Sequence, residues 1–213
     1  LMTTPPDALL LIAPGCVHCP NVLDALSELV KQGALGRLEV INVAVHPQRA
    51  RELGARSAPW TRIGEFELEG AHSAAELAEW AEQSARPEGY GLYLSSLLEG
   101  GELERVVGLL RRDPRRLESL LELMETLETP MAARIGVGAV LEELAESNLL
   151  GPAVAPLRAL LASEIPQVRA DACHYLGLTG DPGVREAVTP LLKDTDAEVR
   201  EIARETLEEI EAF

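Results

Sequence analysis

Hydrophobic and polar positions in the first third of the chain alternate between a strand-like and a helix-like pattern. The continuous apolar run at 8–13 predicts a buried strand. After Pro20, which is tolerated in the first turn of a helix, apolar residues recur at i, i+3, i+4 and i+7 as far as Val30. This spacing predicts an amphipathic helix, and Gly33 and Gly36 mark its end.

The alternation continues to about residue 85. The remaining apolar runs predict three more strands, at 38–45, 61–63 and 66–68. They also predict one short helix, at 47–53. Gly64-Glu65 has the length of a two-residue hairpin turn between the last two strands. Ser73 and Glu76 have the spacing of a capping box at the start of a final helix. The predicted order of elements is β-α-β-α-β-β-α.

The stretch 84–91 is rich in Pro and Gly, and every strong pattern after it is helical. We interpret this stretch as a boundary between two domains, 1–85 and 86–213. The second domain contains an internal repeat, because 161–172 aligns with 192–203 at an offset of about 31 residues. Two-helix units of this length cannot bury their apolar faces alone, so we expect them to stack on one another.

Charge and composition restrict the possible partners. The formal net charge is −16 at pH 7, and an acidic surface repels phosphate backbones, so we expect no nucleic-acid partner. The chain has no apolar run of ~18 residues and no basic-then-apolar leader, so we expect neither a membrane span nor secretion. We expect the natural start to be Met2.

Two of the three cysteines lie in the sequence Cys16-Val17-His18-Cys19. If these two pair, the third stays unpaired, so a disulfide framework is excluded and a reducing cytoplasmic compartment is expected. The motif follows the first predicted strand and precedes the first predicted helix. Cys16 is therefore expected at a helix N-terminus, where the macrodipole and unpaired N–H groups favour a thiolate.

These features, together with Pro59 ahead of the predicted hairpin, resemble the thioredoxin/glutaredoxin-like superfamily. The resemblance implies an α/β thioredoxin-like fold in which Cys16 is the exposed nucleophile and Cys19 the buried resolving thiol. It also implies that Pro59 is a cis proline that faces the pair, although Pro59 could be an ordinary first residue of a strand. His18 stands where protein disulfide isomerases also carry histidine, so we expect a reduction potential above that of thioredoxin.

The sequence departs from thioredoxin in two ways. Thioredoxin has Trp before its first cysteine and Gly-Pro between the two, whereas this chain has Gly15 and Val17-His18. Thioredoxin also has a buried acid six residues before the nucleophile, and that position is Leu10 here. The acid normally helps to deprotonate the resolving thiol, so we do not expect the rapid thioredoxin route of substrate reduction here.

The second domain resembles HEAT-repeat proteins in the sequence from Asp196 to Ala203, and less fully in the sequence from Ile165 to Ala172. The resemblance implies an all-α repeat domain with an extended surface that could recruit a protein partner. Arg169 and Arg200 recur at equivalent positions, and we expect them to make contacts between repeat units.

Taken together, these patterns predict a cytoplasmic thiol–disulfide oxidoreductase that acts on protein disulfides or dithiols. Cys16, His18, Cys19 and Pro59 are the predicted site, and we expect neither a cofactor nor a metal there. The helical repeats would recruit the protein substrate, and an unidentified electron donor or acceptor would complete the cycle.

Four alternatives stay open at this point. The cysteines could be a buried structural pair. They could bind zinc with His18, completed by Cys173 and His174, although Cys173 is better explained as a core residue. The chain could be a redox-regulated adaptor or chaperone-like binding protein with little turnover. It could also reduce glutathione mixed disulfides, for which a single thiol suffices.

Overall fold

The computed structural model describes residues 4–211, and this part of the chain forms two compact units. The first unit extends to Tyr90 and the second begins at Gly91. The start predicted at Met2 lies outside the described residues. The domain boundary predicted between residues 85 and 86 stays a prediction.

Within the described part of the first unit, the order of elements is β-α-β-α-β-β-α, as predicted. The bounds are β1 Asp7–Ile12, α1 Cys19–Lys31, β2 Arg37–Asn42, α2 Pro47–Leu53, β3 Trp60–Ile63, β4 Phe66–Glu69 and α3 Ala74–Ser84. The predicted capping box is present, because Ser73 Oγ accepts from the Glu76 amide while Glu76 Oε2 accepts from the Ser73 amide. Gly64 has a φ of 56°, in the left-handed region that this hairpin turn requires.

β1 lies in the middle of a four-stranded sheet with the order β2-β1-β3-β4. It pairs in parallel with β2 and antiparallel with β3, and β3 continues antiparallel to β4. On one face, α2 packs through Ala50 and Leu53 against a cluster that includes Leu11 and Trp60. On the other face, α1 and α3 contact each other and the sheet. Coverage of both faces explains why β1 is an uninterrupted apolar run.

The second strand is shorter than the sequence indicates. It ends at Asn42, so the extension predicted to residue 45 is wrong. The Asn42 side chain accepts from the Ala44 amide at 2.9 Å, and its carbonyl accepts from the amides of Val45 and His46. Asparagine thus forms a local turn that competes with the strand.

The second unit is helical throughout its described residues. Its α-helices are α4 Gly89–Glu99, which begins in the first unit, α5 Leu103–Arg112, α6 Leu117–Leu121, α7 Met131–Glu146, α8 Val154–Leu160, α9 Pro166–Gly177, α10 Val184–Val188 and α11 Ala197–Glu211. Short 3-10 turns extend several of them, at Pro114–Arg116, Glu122–Met124, Gly151–Ala153 and Thr189–Lys193.

The internal repeat appears as equivalent hydrogen bonds at the start of α9 and α11. Arg169 donates to the carbonyls of residues 163 and 164, and Arg200 donates to those of residues 194 and 195. Arg169 also makes two bonds of 2.8 Å to Asp194 of the following unit. The predicted contact between units is therefore confirmed for Arg169, whereas the contacts of Arg200 among the described residues stay within its own unit.

Asp194→Asn should lower the free energy of unfolding of the helical unit by about 2 kcal/mol at pH 7. The substitution replaces a charged, two-bond contact between side chains that are 12% and 9% exposed. Hydrogen bonds from Arg169 hold the pKa of Asp194 below its ordinary value of 3.8. The stabilisation is therefore present above pH 3.8 and is lost as the pH falls through the lower folded-state pKa.

Urea unfolding of the parent protein and the variant, followed by circular dichroism at neutral and at acidic pH, measures this difference. Glu211→Gln is the matched control, since it weakens the Arg185–Glu211 pair, whose side chains are 55% and 59% exposed. The control should change stability little. An Asp194→Asn variant as stable as the control at pH 7 would contradict the prediction.

Candidate functional site

Cys16 and Cys19 form a disulfide with their Cα atoms 5.5 Å apart. The pair lies where the turn after β1 leads into α1, which begins at Cys19 with His18 as its N-cap. Cys16 is half-exposed, whereas Cys19 is only 6% exposed. The strand–turn–helix arrangement therefore leaves one cysteine partly exposed and buries the other.

The N-terminus of α1 is directed at the sulfur of Cys16. The Cys19 amide donates to Cys16 Sγ at 3.1 Å, and the first turn of the helix contains no acidic residue. The positive end of the helix dipole and this N–H group both favour negative charge on Cys16 Sγ. The local electrostatics therefore fit a thiolate at Cys16 after the disulfide is reduced.

The loop before β3 lies beside Cys16. The Ala58–Pro59 peptide bond is cis, as the resemblance implied, and the Ala58 carbonyl oxygen is 3.6 Å from Cys16 Sγ. Pro59 is buried, and its own carbonyl accepts from the Gly70 amide at 3.0 Å. The pairing of β1 with β3 thus brings Pro59 and the cysteine pair together.

The three neighbours Val17, His18 and Trp60 differ in exposure. Val17 is 78% exposed and His18 is also exposed. The His18 side chain makes no capping hydrogen bond to the helix, so it is free to face solvent next to Cys16. Trp60 is 1% exposed and packs in the core beneath α2, so its position fits packing and not contact with a substrate.

Sequence reasoning missed Thr61. Thr61 is fully buried, and its Oγ1 has no hydrogen-bond partner among the described residues. It pairs across the sheet with Leu10. Leu10 occupies the position where thioredoxin has a buried acid. A lone threonine in a short strand has no distinctive pattern, and only the register of β1 with β3 places it there.

The zinc alternative takes its ligands from both units, Cys16, His18 and Cys19 from the first and Cys173 and His174 from the second. Among residues 4–211, no group of three or more His, Cys, Asp or Glu side chains has the arrangement of a metal site. Cys173 is fully buried inside the helical unit, and its burial raises the pKa of this thiol to about 11. Its position confirms the prediction of a core residue. His174 is half-buried in a surface groove.

This groove of about 340 Å³ lies between α9 and α11 of the helical unit. Its walls carry Asp171, Glu198, Glu205 and Glu209, and Ile202 lines it as well, whereas no Lys or Arg lines it. On α7, which packs against α9, Met131 and Ile135 are 72% and 67% exposed one turn apart. The helical surface thus combines carboxylates with exposed apolar side chains.

Comparison with known proteins agrees with these two architectures. A family model described as a thioredoxin domain matches residues 8–82, and one described as HEAT repeats matches residues 117–208. No curated protein matches the chain. Within residues 4–211, no helix is both long enough and apolar enough to cross a membrane. The chain is therefore a fusion of a thioredoxin-like domain and a helical region of HEAT repeats.

Proposed function

We propose that the chain is a thiol–disulfide oxidoreductase that acts on protein disulfides or dithiols through Cys16 and Cys19. In this proposal the HEAT repeats recruit the protein partner. The observation that carries it is the disulfide at the start of α1, which joins a half-exposed cysteine to a buried one. Exchange requires one accessible sulfur to meet the substrate and a second sulfur close by to resolve the intermediate.

The reaction begins when one thiolate of a substrate dithiol attacks Cys16 Sγ. The bond between the two cysteine sulfurs breaks, and its electron pair leaves on Cys19 Sγ, which takes up a proton. The second thiolate of the substrate then attacks the other substrate sulfur, which is bonded to Cys16 in the mixed disulfide, and this step releases Cys16. The substrate is oxidised to a disulfide while the pair is reduced, and the reverse sequence reduces a substrate disulfide.

The two cysteines are suited to different steps. Cys16 is half-exposed and accepts a hydrogen bond from the Cys19 amide, so it can meet a substrate and leave as a thiolate. Cys19 is 6% exposed, so a folded substrate does not reach it, but it can attack a mixed disulfide on its neighbour. We assign His18 to thiolate stabilisation when its imidazole is protonated, and Ala58 and Pro59 to the wall of the substrate groove.

The exchange moves electrons and protons between sulfur atoms, so the proposal invokes no cofactor. Electrons come from, or pass to, a separate dithiol or disulfide of unidentified origin. We place the reaction in the cytoplasm, because a chain with a single exchangeable pair and one buried free cysteine fits a reducing compartment.

Partner recruitment by the HEAT repeats is supported by the surface of α7, α9 and α11. The carboxylates along the α9–α11 groove favour a basic segment. The exposed Met131 and Ile135 offer apolar contact area on α7, which packs against α9. We therefore propose that the protein substrates carry a basic, partly apolar segment.

The reduction potential tests the redox assignment directly. The full-length protein, equilibrated in glutathione buffers and analysed by mass spectrometry, should show a reversible Cys16–Cys19 couple between about −270 and −120 mV. His18→Ala should make this potential more negative, because a protonated imidazole stabilises the Cys16 thiolate. A pair that forms no disulfide at any glutathione ratio would contradict the proposal and favour a structural role.

Substitution of single cysteines separates the oxidoreductase from its alternatives. Cys16→Ser should abolish reduction of a disulfide-linked peptide above the uncatalysed rate, because no exposed nucleophile is left. Cys19→Ser should accumulate a mixed disulfide on Cys16, because the resolving thiol is missing. Cys173→Ala is the matched control and should keep its activity, since Cys173 is enclosed in the helical unit.

Two outcomes of this series favour other functions. If Cys16→Ser keeps full affinity for a partner and the parent protein shows no turnover, the chain is a redox-regulated adaptor. If Cys19→Ser retains glutathione-dependent reduction, a single-thiol route operates.

Recruitment is tested with two disulfide-linked peptides of equal length, one basic and one acidic. The basic peptide should have the lower KM at low ionic strength, and the difference in KM between the two peptides should shrink as salt is added.

Glu205→Gln combined with Glu209→Gln should reduce this difference in KM, because both residues line the groove. Glu118→Gln combined with Glu186→Gln changes the charge equally on other helices and should not. If the two double variants changed the KM difference equally, the overall charge of the protein would be its cause, and recruitment by the groove would be contradicted.

A further inference from the structure

The hydroxyl of Thr61 is enclosed in the first unit without a hydrogen bond. Thr61 is 0% exposed, and its Oγ1 has no partner among the described residues. Buried polar groups are nearly always hydrogen-bonded, since an unmade hydrogen bond in an apolar site is costly. An unpaired hydroxyl at this position therefore requires a physical reason.

The sheet itself supplies no partner. Thr61 lies opposite Leu10 on β1 and opposite Leu68 on β4, and both leucines are buried. The next residue of β3, Arg62, and the preceding one, Trp60, point to the other face, because side chains alternate along a strand. Trp60 packs there against the side chains of α2. Thr61 therefore points to the face that α1 and α3 cover.

Cys19 belongs to a helix that covers this same face, because α1 packs against β1, β2 and α3. Its partner Cys16 lies beside the loop that enters β3, since the Ala58 carbonyl oxygen is 3.6 Å from Cys16 Sγ. Cys19 is the first residue of α1, is 6% exposed and is bonded to Cys16. Thr61 and the buried Cys19 are therefore on the same side of the sheet.

We propose that the Thr61 hydroxyl is the hydrogen-bond partner of the Cys19 sulfur in the reduced protein. This inference rests on the proposed function, because it concerns the state that the reaction creates. In the disulfide, Cys19 Sγ carries neither a proton nor a charge. After reduction, a Cys19 thiol can donate to Thr61 Oγ1, and a Cys19 thiolate can accept from its O–H.

The hydroxyl thereby stabilises only one of the two redox states. Reduction by an external dithiol breaks the sulfur–sulfur bond, places two electrons and two protons on the cysteines, and converts the dithiol to a disulfide. The new bond to Thr61 then forms on the reduced side alone, which raises the reduction potential and makes Cys19 a better leaving group. Thr61 acts through Cys19 and is thus a positioning residue.

Thr61→Val tests this, because valine has nearly the same shape and lacks the hydroxyl. In glutathione buffers, the variant should shift the equilibrium towards the disulfide by about tenfold, which corresponds to a potential about 30 mV more negative. Thr61→Ser keeps the hydroxyl and removes a methyl group, so its potential should stay near that of the parent protein. A change in packing alone would alter both variants.

A second measurement isolates Cys19. In a Cys16→Ser background, the ultraviolet absorbance of the Cys19 thiolate is followed against pH, with and without Thr61→Val. Loss of the hydroxyl should raise the pKa of Cys19. If Thr61→Val changes neither this pKa nor the potential, the inference is wrong and the hydroxyl is only a tolerated unpaired group.

The two measurements also separate this inference from the proposed function. A reversible potential that Thr61→Val leaves unchanged, with an unchanged Cys19 pKa, supports the oxidoreductase and overturns the role of Thr61. If the parent pair has no reversible potential, the proposed function fails. The Cys19 titration still decides whether Thr61 is the partner of that sulfur.

Discussion

The pairing of β1 with β3 determines the geometry of the cysteine site. Leu11, near the end of β1, lies opposite Trp60 at the start of β3. The turn after β1 and the loop before β3 therefore lie at the same end of the two strands. That arrangement places the Ala58 carbonyl 3.6 Å from Cys16 Sγ. If the pairing shifted by one residue, the side chains of the strand would exchange faces, and Leu10 would point to the face that α2 covers. The buried side chains of β1 therefore hold the site together, although none of them touches a substrate.

The three cysteines show how strongly local structure controls the behaviour of one residue type. Cys16 is half-exposed at a helix N-terminus and accepts a hydrogen bond from the Cys19 amide. Cys173 is fully buried between helices, where desolvation raises the pKa of its thiol to about 11. A thiolate is stabilised in the first environment and suppressed in the second. Of these two environments, only that of Cys16 favours a thiolate, and the cysteine of the helical unit is packed in its core.

The helical unit uses its charges in two different ways. The nearly buried Arg169–Asp194 pair joins one repeat to the next with fixed geometry, and this use of charge is structural. Among the carboxylates of the α9–α11 groove, Asp171 pairs with Arg134 of α7 at 3.0 Å, whereas no Lys or Arg lines the groove beside Glu198, Glu205 and Glu209. These three carboxylates attract an oppositely charged group over several ångströms, within the Debye length. Charge in this unit therefore fixes the contact between repeats at one place and gives the surface a local negative potential at another.

The features that could be predicted from sequence depend on near neighbours in the chain. The capping box of Ser73, the hairpin at Gly64 and the position of Cys16 before a helix each require only a few consecutive residues. The end of β2 was mispredicted because the turn at Asn42 competes with an apolar run that otherwise favours a strand. The unpaired hydroxyl of Thr61 could not be predicted at all. Its environment depends on which residue of β1 lies opposite, and that register is fixed by the burial of side chains in the folded sheet, which a short run of sequence does not determine.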